Sequence, residues 1–180
     1  MAKKKYVRDY EISETIDEKG RVRSVPIYVG SYFCFCDAAA AKKSGRLLAP
    51  AAALGWLAYI MALWLPSGAG KLMYVILPFV FAAVPLWYVS SAVAALLRAG
   101  DKPKRSEAEK VAGNLPSASV FGIILTAVAL IAEGITAIAA PEKLNAADIS
   151  FAAGAVILCA AFALSFSRRQ AVQLLTAGLN

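Results

Sequence analysis

Glu133 lies deep within an apolar stretch, residues 117–140 (SASVFGIILTAVALIAEGITAIAA), with no basic residue beside it to pair with. No other long apolar run carries an acid or base in its interior, and Asp148 stands at the head of the last one. The stretch exceeds the roughly 20 residues a helix needs to cross a bilayer, so the carboxyl belongs inside a membrane. Two chemistries are open to it there. A dry carboxyl is neutral and links helices as a hydrogen-bond donor, whereas a wet one binds a cation or exchanges a proton for a solute. Helical spacing sorts the stretch into two unlike sides. Phe121, Ile124, Val128, Ile131, Ile135 and Ile138 form a bulky stripe suited to lipid. Glu133 shares the other side with Gly122, Thr126, Ala129, Thr136 or Ala137, and Ala140, whose small or polar side chains let helices pack closely. The acid is therefore expected to face other helices. At its depth the expected neighbours are Tyr59, Pro78 and, one turn further out, Tyr74.

Pro78 and Pro85 form a second set, two helical turns apart in one apolar run. Each removes a backbone bond and frees a carbonyl, those of Tyr74 and Phe81, which must find a partner in hydrocarbon. The pair is read as a fixed kink or as a hinge. A third set is Cys34 and Cys36. On a strand both thiols face one way, about 7 Å apart at roughly 3.4 Å per residue. Two thiolates are half of a tetrahedral metal set, and Cys159 lies far away in the last apolar run. Reduced, buried thiols between aromatics are the favoured reading, ahead of a redox or metal site. Gly68-Ala69-Gly70-Lys71 lacks the first glycine and the closing Ser or Thr of a phosphate-binding loop.

The chain has no histidine. That excludes a Ser-His-Asp triad, a Cys-His dyad and a His-ligated metal built from this chain alone. No constellation of Lys, Tyr or carboxylates replaces them, so no enzyme, cofactor or metal is expected.

The elements that position these residues are legible from composition. Of 180 residues 59% are hydrophobic, and the mean hydropathy is +0.61. A soluble domain is nearer 45–50% apolar. Four apolar runs are read as spans, at 47–65, 72–97, 117–140 and 146–166. The fold class is an all-α polytopic membrane protein, a four-helix transmembrane bundle with a small cytosolic β-hairpin at the N-terminus. Residues 1–46 carry that hairpin and a short interfacial helix capped by Asp37. In the hairpin Tyr10, Ile12 and Ile16 alternate with polar residues as in a half-buried strand. Asp17 to Gly20 supply the turn, Arg21 and Arg23 return opposite the acids, and Tyr32 to Cys36 extend the sheet. Residues 98–116 are a charged loop, with Ser106 and Glu109 forming a capping box. Asn145 or Asp148 caps the fourth span. Residues 168–180 read as an amphipathic tail lying along the membrane surface.

The net charge of +7 is not that of a nucleic-acid binder, because the basic residues cluster at the ends of apolar runs. Ten precede the first span, five lie between the second and third, and two follow the fourth. Lys71 and Lys143 are alone in the other connections. The positive-inside rule then places both termini in the cytoplasm of a plasma-membrane protein. Four spans with one membrane glutamate resemble small multidrug exporters in outline. Those chains are shorter, carry the acid in the first span and lack a cytosolic N-terminal domain, so nothing is carried over. The expected role is a non-enzymatic accessory or interaction subunit, a homo-oligomer or a companion of another membrane protein. The alternative is a small transporter or channel coupled through Glu133.

Overall fold

The computed structural model describes residues 9–16, 22–30, 32–64, 72–99, 103–141 and 145–176. The expected turn at Asp17 to Gly20, the lone Lys71 and Lys143, and Arg21 lie outside them. The described elements are β1 (Tyr10–Ile16), β2 (Val22–Tyr28), β3 (Phe33–Phe35), α1 (Ala38–Trp64), α2 (Met73–Phe81), α3 (Ala83–Arg98), α4 (Arg105–Glu109), α5 (Leu115–Ala139), α6 (Ala146–Ser167) and β4 (Leu174–Thr176). Four helical segments, Ala38–Trp64, Met73–Arg98, Arg105–Ala139 and Ala146–Ser167, are long and apolar enough to cross a membrane.

Several boundaries fall where backbone chemistry, not hydropathy, sets them. The expected interfacial helix and first span are one helix of 27 residues, α1. Asp37 caps its start, accepting from the Ala40 N–H at 2.9 Å. Gly45 does not interrupt it, because the glycine is buried where the side chains of Leu96 and Leu97 come close. The second span breaks at Ala82, whose N–H turns back to Pro78 and Phe79 oxygens. Pro85 thus falls in the first turn of α3, where a missing N–H costs little.

The capping box starts earlier than Ser106. Glu107 Oε2 accepts from the Lys104 N–H at 3.2 Å, and α4 then runs into a π-helical turn, Lys110–Asn114, that joins it to α5. Pro116 cannot donate into the preceding turn, and a wider turn re-spaces the ladder there. At α6 both expected caps act together. Asn145 Oδ1 accepts from the Ala147 and Asp148 N–H groups at 2.8 and 3.0 Å, and Asp148 Oδ2 accepts from the Asn145 N–H at 3.0 Å.

β1 and β2 form the antiparallel hairpin, with Tyr10 opposite Tyr28 and Ile12 opposite Pro26. Arg23 stands opposite Thr15, not an acid. Nor is the first strand half-buried, since Ile12 is 78% exposed. The extension through Tyr32 to Cys36 does not join the hairpin either. β3 pairs instead with β4, Cys34 opposite Leu175. That partner strand belongs to the tail. After α6 it makes a short 3₁₀ turn, Gln170–Val172, and then the strand. A strand edge at β3 needs partners for its backbone groups, and the tail supplies them.

The bundle core is aromatic. Phe79, Phe151 and Phe162 are fully buried. Tyr59 stacks on Phe79 at 5.3 Å and Phe79 meets Phe151 at 4.8 Å. Helix α6 approaches α1 at Gly154, where a Cβ would stand 3.0 Å from the Ala58 carbonyl oxygen. The strands gather at the end of the bundle that holds the start of α1 and the close of α6.

Candidate functional site

Helix α5 presents the two sides its spacing predicts. Phe121, Ile124, Val128, Ile131, Ile135 and Ile138 are all exposed, while Gly122, Thr126, Ala129 and Glu133 are buried. Apolar surface on the outside of a bundle is what a lipid solvent requires. Glu133 is only 6% exposed, and its Oε2 is buried without a hydrogen-bond partner among the described residues. Such an oxygen loses its hydration without compensation.

The residues expected around the acid are engaged elsewhere. Thr126 Oγ1 donates to the Gly122 carbonyl of its own helix at 2.8 Å. Thr136 Oγ1 lies 2.9 Å from the Ala132 oxygen and 3.3 Å from the Tyr74 hydroxyl. Tyr59 donates to the Val80 carbonyl at 3.1 Å. Neither phenol's hydrogen bond goes to Glu133, and the carbonyl that Tyr59 serves is Val80's, beside the Ala82 break. Pro78 is half-buried and Pro85 is buried. Trp56 adds a parallel link, its indole N–H donating to Ser90 Oγ at 2.9 Å.

One participant was missed from the sequence. Asp148, 4% exposed in the first turn of α6, is a second buried acid toward the end of the bundle where Glu133 lies. The end of the bundle where α5 closes and α6 begins thus holds two buried acids. Asp148 looked like a helix cap, and its second role depends on the α5–α6 packing, which no local pattern announces.

The cysteines are free, with Cys34 half-buried, Cys36 exposed and Cys159 half-buried. Cys159 sits eight residues from the end of α6, roughly 12 Å along the helix axis. The described residues contain no group of three or more His, Cys, Asp or Glu able to hold a metal.

At the opposite end the hairpin is clasped by tyrosines. Lys104 Nζ stands 5.7 and 5.4 Å from the ring centres of Tyr10 and Tyr28. The Arg105 N–H donates to the Tyr28 hydroxyl at 3.0 Å, and Tyr32 bridges to Lys104. Cation–π contacts of this kind fix an element at modest energy.

Fold and site together define a class: a helical bundle built to sit in a bilayer, with four helices suited to multiple crossings and a strand-bearing cap at one end. Comparison of the chain with family models, curated proteins and solved structures found no match.

Proposed function

We propose that the protein is a non-enzymatic interaction subunit of the plasma membrane, with both termini cytoplasmic and the hairpin as its recognition element. The exposed hairpin carries the reading. Ile12, Val22, Val25 and Ile27 are 78, 63, 44 and 49% exposed. A lone two-stranded hairpin is marginal in water, so a further surface must complete it. Exposed Glu11 and Glu14 on β1 disfavour acyl chains as that surface. A protein partner that adds a strand and covers the apolar side chains fits both demands. The charge distribution supports the orientation, because the basic residues concentrate at the hairpin end.

Ile12→Glu tests the reading. The side chain makes no core contact, so the bundle should stay folded while cross-linking to the native partner in its own membrane is lost. Undiminished cross-linking would sink the reading.

Glu133 favours a second reading, a small transporter or channel with the acid as its coupling site and the Ala82 break as its moving part. The unpartnered Oε2 and the neighbouring Asp148 support it. On that reading Glu133→Gln abolishes proton-coupled flux in proteoliposomes. Unchanged flux would dispose of it.

A further inference from the structure

A cavity of about 470 Å³ opens between α3 and the α4 segment, lined by Trp87, Ser91, Ala94, Arg98, Ser106 and Lys110 among others. Its lining changes character along its length. Arg98 closes α3 at the polar end, and Lys110 of the π turn lines the same cavity. Both side chains are exposed, and neither makes an ion pair among the described residues. Ser106 lines the cavity as well. One acid, Glu107, also lines the groove, but its Oε2 is held by the Lys104 N–H. Eleven residues back along α3, roughly 16 Å deeper, the lining is Trp87, 67% exposed on the outer surface. Val84 and Tyr88 continue that apolar face at 49 and 48% exposure.

Two cations with no ion pair among the described residues and an open indole at bilayer depth are an amphiphile's complement. A free phosphate would use only the first, and a soluble protein has no access to the second. We propose that this groove binds one anionic diacyl phospholipid, its phosphate between Arg98 and Lys110 and one acyl chain along Ala94 and Trp87. Basic pockets between helices at the cytoplasmic face commonly take such headgroups. Roughly 16 Å from the basic end, the Trp87 indole is placed to pack against an acyl chain and not against a headgroup. The inference needs only the membrane setting and is independent of any protein partner.

The test uses the full chain in mild detergent, titrated with phosphatidylglycerol or phosphatidylcholine and read by native mass spectrometry and thermal midpoint. Phosphatidylglycerol should be retained and should raise the midpoint above that in phosphatidylcholine. Arg98→Gln with Lys110→Gln should weaken retention about 30-fold, from about 1 kcal/mol per basic residue. Arg98→Lys with Lys110→Arg should keep it, which separates lost charge from lost fold. Lys42→Gln with Lys43→Gln, removing the same charge from α1 outside this groove, should change little. Equal response to the two lipids would overturn the proposal. So would an equal loss in the α1 variant, or equal stabilisation by glycerol phosphate without acyl chains.

Discussion

The ring of Phe162 lies so close to Gly122 that a Cβ at position 122 would stand 2.5 Å from Cε1 and Cζ. That contact fastens α5 to α6 in the core, with Phe162 itself 1% exposed. Gly122→Ala must displace a buried ring, and overpacking of this kind costs about 1–3 kcal/mol. Thermal unfolding in detergent should show the loss. Adding Phe162→Leu, which empties the space, should recover part of it.

Tyr59 and Tyr74 both carry a hydroxyl bond between helices, but in different settings. Tyr59 is buried and serves a carbonyl next to the break at Ala82, whereas Tyr74 is 57% exposed. Tyr59→Phe leaves that carbonyl without its donor and should cost about 1 kcal/mol. Tyr74→Phe should cost a small fraction of that, with both read as shifts in unfolding midpoint.

Asn145 satisfies two N–H groups at the head of α6. Asn145→Ala should destabilise by about 1 kcal/mol, and Asn145→Asp, which keeps the acceptor, should restore most of it. The same denaturation series measures both.

Glu133 contributes a buried oxygen with no hydrogen-bond partner among the described residues, and Asp148 is a second buried acid. Replacing such a group with an apolar side chain of similar size removes a cost, so Glu133→Leu should melt at or above the native protein. A clear fall in midpoint would mean that the carboxyl links helices after all.

Cys34 stands opposite Leu175 in the β3–β4 ladder. Cross-strand neighbours lie within disulfide reach. Under mild oxidation Leu175→Cys should therefore form an intrachain disulfide with Cys34, seen as two proteolytic fragments that separate only on reduction. Linkage to Cys36 instead would mean a shifted register.

The four apolar helices and the inward face of α5 could be read directly from residue order, because a bilayer imposes one strong rule on each run. Gly122, Thr126, Ala129 and Glu133 share a face by spacing alone, and the structure buries all four. The hairpin likewise follows from alternation over seven residues. What escaped reading is non-local or short. Extended chain is expected through Phe33–Phe35, but its partner Leu174–Thr176 is three residues, too few for a period, and some 140 positions away. Ser106 and Glu109 matched the capping pattern, yet Glu107 closed on a backbone N–H at Lys104, a residue with no acceptor to advertise a cap. Asp148 approaches Glu133 only once α5 and α6 are packed, and Val80's oxygen finds Tyr59 only because the chain turns at Ala82.

The β3–β4 ladder also dictates an order of assembly. Its first strand precedes α1 and its second follows α6, so no ribosome-bound intermediate lacking residues 174–176 can close that seam. Every helix between the two strands must be translated first, so this pairing across the bundle can close only after the polypeptide that separates its halves has been made.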